Sequence, residues 1–225
     1  MTKNVKISKR DIKEDKFTTF ILLAKDYVLE QWIYVAGAVA AIIIIVLGIT
    51  FYRSSGVKDE AKAAEISSRA MAELSSRNYQ TAIVDFKSIV DEYGSTSQAE
   101  AALFELGNAY YKARNFTEAK ATFEQFVQKY GQDTYFAASA LAGIAASLAG
   151  SGDLAGAADK YREAAEKYPT FELAGDYYTH AMYYYLKSGN RESARVIYAK
   201  ITKDFPGSRY ITESQRIAGE QNLQL

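Results

Sequence analysis

The chain of 225 residues contains no cysteine, one histidine, one tryptophan and two prolines, and its 27 Lys+Arg are balanced by 27 Asp+Glu. Each scarcity excludes something. Without Cys there is no disulfide framework, no thiolate zinc site and no cysteine nucleophile, and the chain is indifferent to the redox state of its compartment. Zero net charge, with no basic stripe to compensate locally, removes the electrostatic term that dominates nucleic-acid affinity, so no nucleic acid is expected as a partner. The lone histidine, His180, sits in a tyrosine-rich helical run and reads as a packing or hydrogen-bonding residue. The carboxylate pairs Asp59-Glu60 and Asp91-Glu92 are sequence neighbours, which point to different sides of a helix and do not make a general acid/base pair. Gly150-Ser151-Gly152 reads as a turn, with no following Lys or Ser/Thr to form a phosphate loop. No enzymatic activity, metal or cofactor is expected.

Long apolar runs are also absent, with one exception. Ile33 to Tyr52 is twenty residues without a charge, bounded by Glu30 and Arg53. As a helix it would cover roughly 30 Å, the thickness of a bilayer's hydrocarbon core. Trp32, Tyr34, Phe51 and Tyr52 supply aromatic residues at both ends, of the kind that settle at the headgroup level. The run lies too far into the chain for a cleaved signal peptide and is followed by no small-residue cleavage site. It therefore predicts an uncleaved signal anchor, dividing the chain into a charged segment 1–32, a span 33–52 and a polar remainder 53–225. Seven Lys/Arg precede the span (Lys3, Lys6, Lys9, Arg10, Lys13, Lys16, Lys25) and four follow within twenty residues (Arg53, Lys58, Lys62, Arg69). That bias places the N-terminus in the cytoplasm and the remainder outside it, in the periplasm of a bacterial cell. Phe17, Phe20, Ile21, Ala24 and Val28 recur at helical steps, an apolar stripe that would lie on the inner membrane surface or pack against the span or a partner.

The remainder repeats. Asn78-Tyr-Gln-Thr-Ala82, Asn115-Phe-Thr-Glu-Ala119, Asp153-Leu-Ala-Gly-Ala157 and Asn190-Arg-Glu-Ser-Ala194 are spaced by 37, 38 and 37 residues. Four residues after each alanine stands an aromatic (Phe86, Phe123, Tyr161, Tyr198), and eleven after it another (Tyr93, Tyr130, Tyr168, Phe205). Gly94, Gly131, Pro169 and Pro206 then follow, so that both prolines of the chain fall at the same place in the repeat. The Asn/Asp residues are good N-caps, the alanine admits a neighbouring helix closely, the aromatic fills the space between helices, and Gly or Pro stops the helix. A second helical run precedes each such helix, at about 58–76, 98–113, 135–150 and 172–188. A last run, Arg209 to about Leu223, would cap the end. The fold class predicted is all-α: a transmembrane helix followed by an α-solenoid of about four helix pairs plus a C-terminal capping helix.

Leu103-x-x-Leu106-Gly107-x-x-Tyr110, followed by Ala119, Phe123 and Tyr130, resembles the tetratricopeptide signature. The other copies depart from it: Arg69 stands where the motif has Leu, and Ala145 and Met182 where it has Gly. The repeats are longer than the usual 34 residues and are similar to those of the envelope proteins BamD and CpoB. The layout of charged start, signal anchor and repeat domain resembles the YfgM-like family. That resemblance implies an ancillary Sec translocon subunit whose partners are translocon subunits, periplasmic chaperones or other envelope proteins.

In tetratricopeptide proteins the first helix of each pair lines a recognition groove. Transferring the groove positions gives Phe104, Asn108 and Tyr111 in the second repeat, Ala142, Ala146 and Ala149 in the third, and Asp176, Thr179, Tyr183 and Lys187 in the fourth. This predicts a small-residue floor between aromatic walls, suited to an extended or helical peptide. The alternative for the alanines is close helix packing, and for several tyrosines it is core filling. A carboxylate clamp is not expected, because Phe104 and Ser139 stand where its basic residues would be. The functional expectation is a membrane-anchored protein-interaction scaffold of the bacterial envelope. The alternative is a permanently docked structural subunit of an inner-membrane complex.

Overall fold

A computed structural model of the protein describes residues 19–21, 25, 31–132 and 134–224, with the backbone alone at 49–55 and 134. All regular structure among the described residues is helical. In chain order the helices are α1 (Trp32–Ser75), α2 (Tyr79–Glu92), α3 (Gln98–Lys112), α4 (Phe116–Tyr130), α5 (Thr134–Ser151), α6 (Leu154–Lys167), α7 (Ala174–Lys187), α8 (Arg191–Asp204) and α9 (Arg209–Glu220). The chain divides into two compact units, Met1–Val57 and Lys58–Leu225.

In the first unit the described part of the apolar run is exposed on every side, with Trp32, Ile33, Ile42, Ile44 and Leu47 all more than half accessible. Among the described residues no helix is long and apolar enough to cross a membrane. The described side chains of the run end at Gly48, and Ile33 to Gly48 covers about 24 Å of helix against about 30 Å of hydrocarbon. The last residues of the expected span, 49–52, have no described side chains. Most of the apolar stripe at 17–28, and the cations at 3, 6, 9, 10, 13 and 16 that set the expected orientation, also lie outside the described residues, whereas Lys25 is described and exposed. Phe20 and Ile21 are described, and both are exposed.

The second unit is built of the expected helix pairs. Each second helix packs against its own first helix and against the first helix of the next pair, from α3 to α8, and α9 packs on α7 and α8. The repeat alanines Ala82, Ala119, Ala157 and Ala194 are fully buried, and Phe86, Phe123 and Tyr161 are nearly so. Two cores result. Ala63, Ile66 and Ala70 of α1 join Phe86 and Ile89 of α2 and Leu106 of α3 in the first. The second runs from Leu103 and Phe123 through Ile144, Tyr161 and Met182 to Ile217 and Leu223.

Phe123 explains why glycine is needed where the motif has it. A Cβ on Gly107 of α3 would lie 2.7 Å from one edge of the Phe123 ring, and a Cβ on Gly143 of α5 would lie 2.6 Å from the opposite edge. The ring of α4 is thus wedged between two first helices that approach because both lack a side chain at the contact. The motif glycine of the third copy is replaced by Ala145, but Gly143, one half-turn away, supplies the close approach.

Arg69, the departure in the first copy, is explained by a partner on α2. Its Nε and Nη2 donate to the two oxygens of Asp85, each at 2.7 Å. Asp85 is buried, with 10 % of its side chain exposed, and a carboxylate there requires a fork-shaped cation beside it. A leucine at 69 would leave that charge unpaired. The hydrogen bond to Asp85 is also the leading cause that holds the Arg69 guanidinium above its ordinary pKa.

The caps are only partly as expected. Asp153 accepts from the Gly156 N–H at 2.9 Å and Asn190 from the Ser193 N–H at 3.1 Å. Asn78 and Asn115 occupy the same position without a side-chain cap bond. Asn78 turns its amide instead to the Glu73 carboxylate at 2.7 Å. What all four hairpins share is the residue before the cap, Arg77, Arg114, Gly152 and Gly189, each with φ between 62° and 95°. The capping helix also ends earlier than expected, at Glu220. Asn222 takes φ 51°, and Leu223 N–H reaches back to the Ala218 carbonyl at 2.9 Å, a left-handed helix stop.

Candidate functional site

The residues expected to line a groove divide into packing residues and accessible ones. Phe104 packs edge-on against Phe123 and Phe126 and tilted against Phe136, with centroids 5.7, 5.6 and 5.2 Å apart. It is therefore mainly a core residue. Asn108 is half-buried, and its Nδ2 donates to Glu105 at 3.2 Å. Ala142 and Ala146 are half-buried against the second core, which together with Gly143 favours close helix packing as the reason α5 is small. Thr179 is buried, and its hydroxyl donates to the Gly175 carbonyl at 2.9 Å, which removes it from ligand contact as a free donor. Tyr111 is 40 % exposed and packs on Phe116 at 5.6 Å. Tyr183 is half-buried, Lys187 is exposed, and the Lys187 ammonium lies 5.6 Å from the Tyr183 ring centroid.

The tyrosines form a connected band. Tyr184 of α7 stacks on Tyr161 of α6 with centroids 5.7 Å apart and planes within 3°. Tyr183 meets Tyr184 edge-on at 5.0 Å, and His180 stacks on Tyr161 at 5.0 Å. Burial pushes the Tyr161, Tyr177 and Tyr184 hydroxyls above the ordinary phenol range, and the neighbouring phenols add to it. They are therefore neutral hydrogen-bonding groups at any physiological pH. Tyr185, on the other side of α7, is pushed up to about 12 by burial and then by its hydrogen bond to the Asp159 carboxylate at 2.5 Å.

Where α7 meets the capping helix the surface opens into a cleft of about 750 Å³, within the range of small binding sites. Asp176, Thr179 and Tyr183, all expected from the sequence, line it on one side. Arg209, Glu213 and Arg216 of α9 line it on the other. The two helices touch closely at one end, where a Cβ on Gly175 would lie 2.2 Å from the Tyr210 ring. There Arg209 Nη2 bridges to Asp176 at 3.1 Å. His180 also lines the cleft, its Nδ1 facing the Asp176 carbonyl at 2.8 Å. A carbonyl only accepts, so Nδ1 is the donor in this contact.

The α9 residues were missed from sequence because the capping helix carries no repeat motif. The available signal was its own amphipathic spacing, Ile211, Ser214, Ile217 and Ala218, which puts Arg209, Glu213 and Arg216 beside its buried face. The described part of the C-terminal segment, 221–224, does not line the cleft. Leu223 is buried in the second core, and Arg191 and Arg195 of α8 donate to the carbonyls of Asn222, Gln221 and Gln224 at 3.0 to 3.1 Å.

Among the described residues no three or more His, Asp or Glu side chains gather in a way that could hold a metal ion. The adjacent carboxylates serve structure. Asp91 pairs with Lys87 at 2.6 Å, and Glu60 accepts from the Ser97 N–H at 2.9 Å and from its hydroxyl. Those two bonds hold the Glu60 carboxyl below the ordinary range. The turn expected at Gly150 to Gly152 is narrower: Gly150 and Ser151 end α5, and the turn residue is Gly152, at φ 95°.

Two family models described as tetratricopeptide repeat match the chain, one over residues 68–119 and 104–170 and the other over 177–208, together more than half of its length. No curated protein matches it.

Proposed function

As the chain belongs to the tetratricopeptide repeat proteins, which mediate protein–protein contacts, we propose that it is a membrane-anchored interaction scaffold of the bacterial envelope. Its partner docks on the tyrosine band and the cleft beside it. The observation that carries the docking reading is the α7–α9 cleft, where aromatic and polar side chains line one opening, as at binding hot spots. Anchoring is supported by a helix that is apolar all round and exposed from Trp32 to Leu47, a surface that requires lipid or protein to cover it. The lysine-rich residues before it favour a periplasmic location for the repeats. Tethering to the membrane plane raises the effective concentration of partners in the same membrane, so a weak docking site suffices. Translocon subunits and periplasmic chaperones are the partners in this reading.

The test is in-cell photo-crosslinking from Tyr183 and Tyr111, with Lys160 of α6 as control, and mass spectrometry of the adducts. Translocon subunits or periplasmic chaperones captured from Tyr183 and Tyr111 alone support recruitment. One fixed set of membrane proteins captured from all three positions identifies a docked structural subunit instead. Because the chain has no Cys, a single Ser76→Cys substitution gives a clean topology test with an impermeant maleimide. Failure to label in cells with a permeabilised outer membrane refutes the periplasmic location.

A further inference from the structure

The connections of the repeat domain fall at two edges that differ in character. Turns 76–78, 113–115, 152–153 and 188–190, which join the helices within a pair, contain only Ser, Arg, Asn, Gly, Asp and Ala113. The connections between pairs, 93–97, 131–133, 168–173 and 205–208, contain Tyr93, Tyr168, Phe171, Leu173, Phe205 and both prolines. Hydrogen bonds between residues one repeat apart tie this second edge together. The Ser97 N–H donates to the Glu60 carboxylate at 2.9 Å, the Tyr168 hydroxyl to the Gly131 carbonyl at 3.3 Å and the Tyr210 hydroxyl to the Glu172 carbonyl at 3.4 Å. Glu60 stands two residues past Lys58, where the repeat domain begins, so the chain enters the repeats at this edge. Eight residues separate Glu60 from Tyr52, the end of the apolar run, about 12 Å along a helix and at most about 29 Å if extended. The polar edge is reached only after Ser75, a further fifteen residues along α1. With the run in a bilayer, connectivity alone puts the entry edge closer to the headgroups.

That edge carries an exposed aromatic patch. Tyr135 is 54 % and Leu173 36 % exposed, and Tyr135 meets Phe171 edge-on at 5.2 Å across the gap between two pairs. Beside them is a hollow of about 410 Å³ whose charged lining is one lysine, Lys167, and one glutamate, Glu172. The patch is therefore balanced in charge. Aromatic side chains with a polar tip in neutral surroundings settle in the interfacial zone of a bilayer, where one end is apolar and the other wet. We infer that this edge rests on the membrane, with Tyr135, Phe171 and Leu173 at the headgroup level. This rests on the anchoring reading above and adds which edge of the repeats meets the lipid. Three side chains hold lipid weakly by themselves, and the tether supplies the effective concentration that a weak contact needs.

The experiment uses the full chain in phosphatidylcholine vesicles, loaded so that most vesicles hold a single chain. Because the chain has no Cys, Thr170→Cys and Ser151→Cys, both at exposed positions, each give a unique site for an environment-sensitive fluorophore. The first lies in the patch, the second at the far end of α5, whose first turn carries Tyr135. A lipid spin-labelled on its headgroup is the quencher. Quenching is expected to be several-fold stronger at 170 than at 151, with little change on adding anionic lipid or salt, since the patch has no net charge. Tyr135→Ser with Leu173→Ser should bring position 170 to the level of 151. Val84→Ser with Val196→Ser, which removes exposed apolar side chains from the middle of α2 and α8, should not. Equal quenching at the two positions, or quenching at 170 that survives Tyr135→Ser with Leu173→Ser, overturns the inference. Quenching that requires anionic lipid overturns it in favour of an electrostatic contact, and a blue shift at 170 that appears only at high loading assigns the patch to a second copy of the chain. Chains that fail to float with the vesicles refute the anchoring reading itself, whereas chains that float with 170 unquenched refute this inference alone and leave the patch to a partner protein.

Discussion

Replacing Gly107 by alanine sets two known effects against each other, and the structure says which wins. In the interior of an exposed helix the change would stabilise by about 0.5–1 kcal/mol through backbone entropy. Here the new Cβ would stand 2.7 Å from Phe123 Cε1 and 2.9 Å from Cδ1 and Cζ, where carbon atoms prefer about 3.5–4.0 Å. The ring would have to retreat by about 0.8 Å, but its far edge already rests against Gly143, with no slack there. Overpacking typically costs about 1–3 kcal/mol, and a ring trapped on both edges belongs in the upper part of that range. Gly107→Ala is therefore expected to destabilise by about 1–2 kcal/mol net, a fall in Tm of about 2–8 °C for a domain of this size. Gly143→Ala should behave alike. In a Phe123→Leu background the clash disappears and the helix gain remains, so the same substitution should become neutral or stabilising. Thermal unfolding of the full chain and its variants, followed by circular dichroism, reads this change of sign. Gly219, whose Cβ would meet nothing within 4 Å, is the internal control for the unopposed gain. A rise in Tm for Gly107→Ala in the wild-type background, or an equal fall in both backgrounds, refutes the wedge.

Further outcomes follow from turns, titration and the capping helix. Arg77 holds φ 64° at a position glycine fills elsewhere, so Arg77→Gly should stabilise by about 0.5–1 kcal/mol and Gly152→Ala should destabilise by about 1 kcal/mol, both read by chemical unfolding. Tyr185 ionises at about 12 in the folded protein against about 10 unfolded. Its contribution is therefore complete below about pH 10 and is lost as pH rises towards 12. Tm should fall across that window, and Tyr185→Phe should flatten the fall. Leu223→Ala removes the side chain that closes the second core, at about 1–3 kcal/mol for a terminal site. Hydrogen exchange should accelerate in α9 while α3 and α4 are unchanged.

Much of the repeat domain was legible because its signals are local and are written four times over. The alanine at 82, 119, 157 and 194, and the aromatics four and eleven residues later, state helix spacing and close packing without reference to anything distant. From α2 to α8 the helix boundaries followed within one or two residues for the same reason, whereas the run expected to begin at about 58 is the continuation of one helix from Trp32 to Ser75, and the capping helix stops at Glu220. The caps were less legible. Asn78 and Asn190 are the same residue type at the same repeat position, but the neighbouring Glu73 draws the Asn78 amide away. The left-handed residue before each cap was visible at Gly152 and Gly189 and hidden at Arg77 and Arg114, because arginine does not advertise a positive φ.

The site was legible in part. Asp176, Thr179 and Tyr183, which periodicity put on one face of α7, line one cleft, and of the groove positions it named, Tyr111 and Lys187 are exposed. It could not tell that Phe104 is held by three other phenylalanines, and although it offered close helix packing as a reason for the alanines of α5, it could not name the Phe123 ring that Gly143 meets. Nor could it bring Arg209 to Asp176, 33 residues away, or Arg69 to Asp85, where the departure from the motif turned out to be one half of an ion pair. Local composition determined the helical pairs, their order and the chemical character of the chain, since helix periodicity, capping and turn residues act over a few positions. Only the tertiary structure decided which aromatic rings are core and which are surface, which charges are already spent, and where a cleft opens, because those depend on what the next helix in the stack puts opposite each side chain.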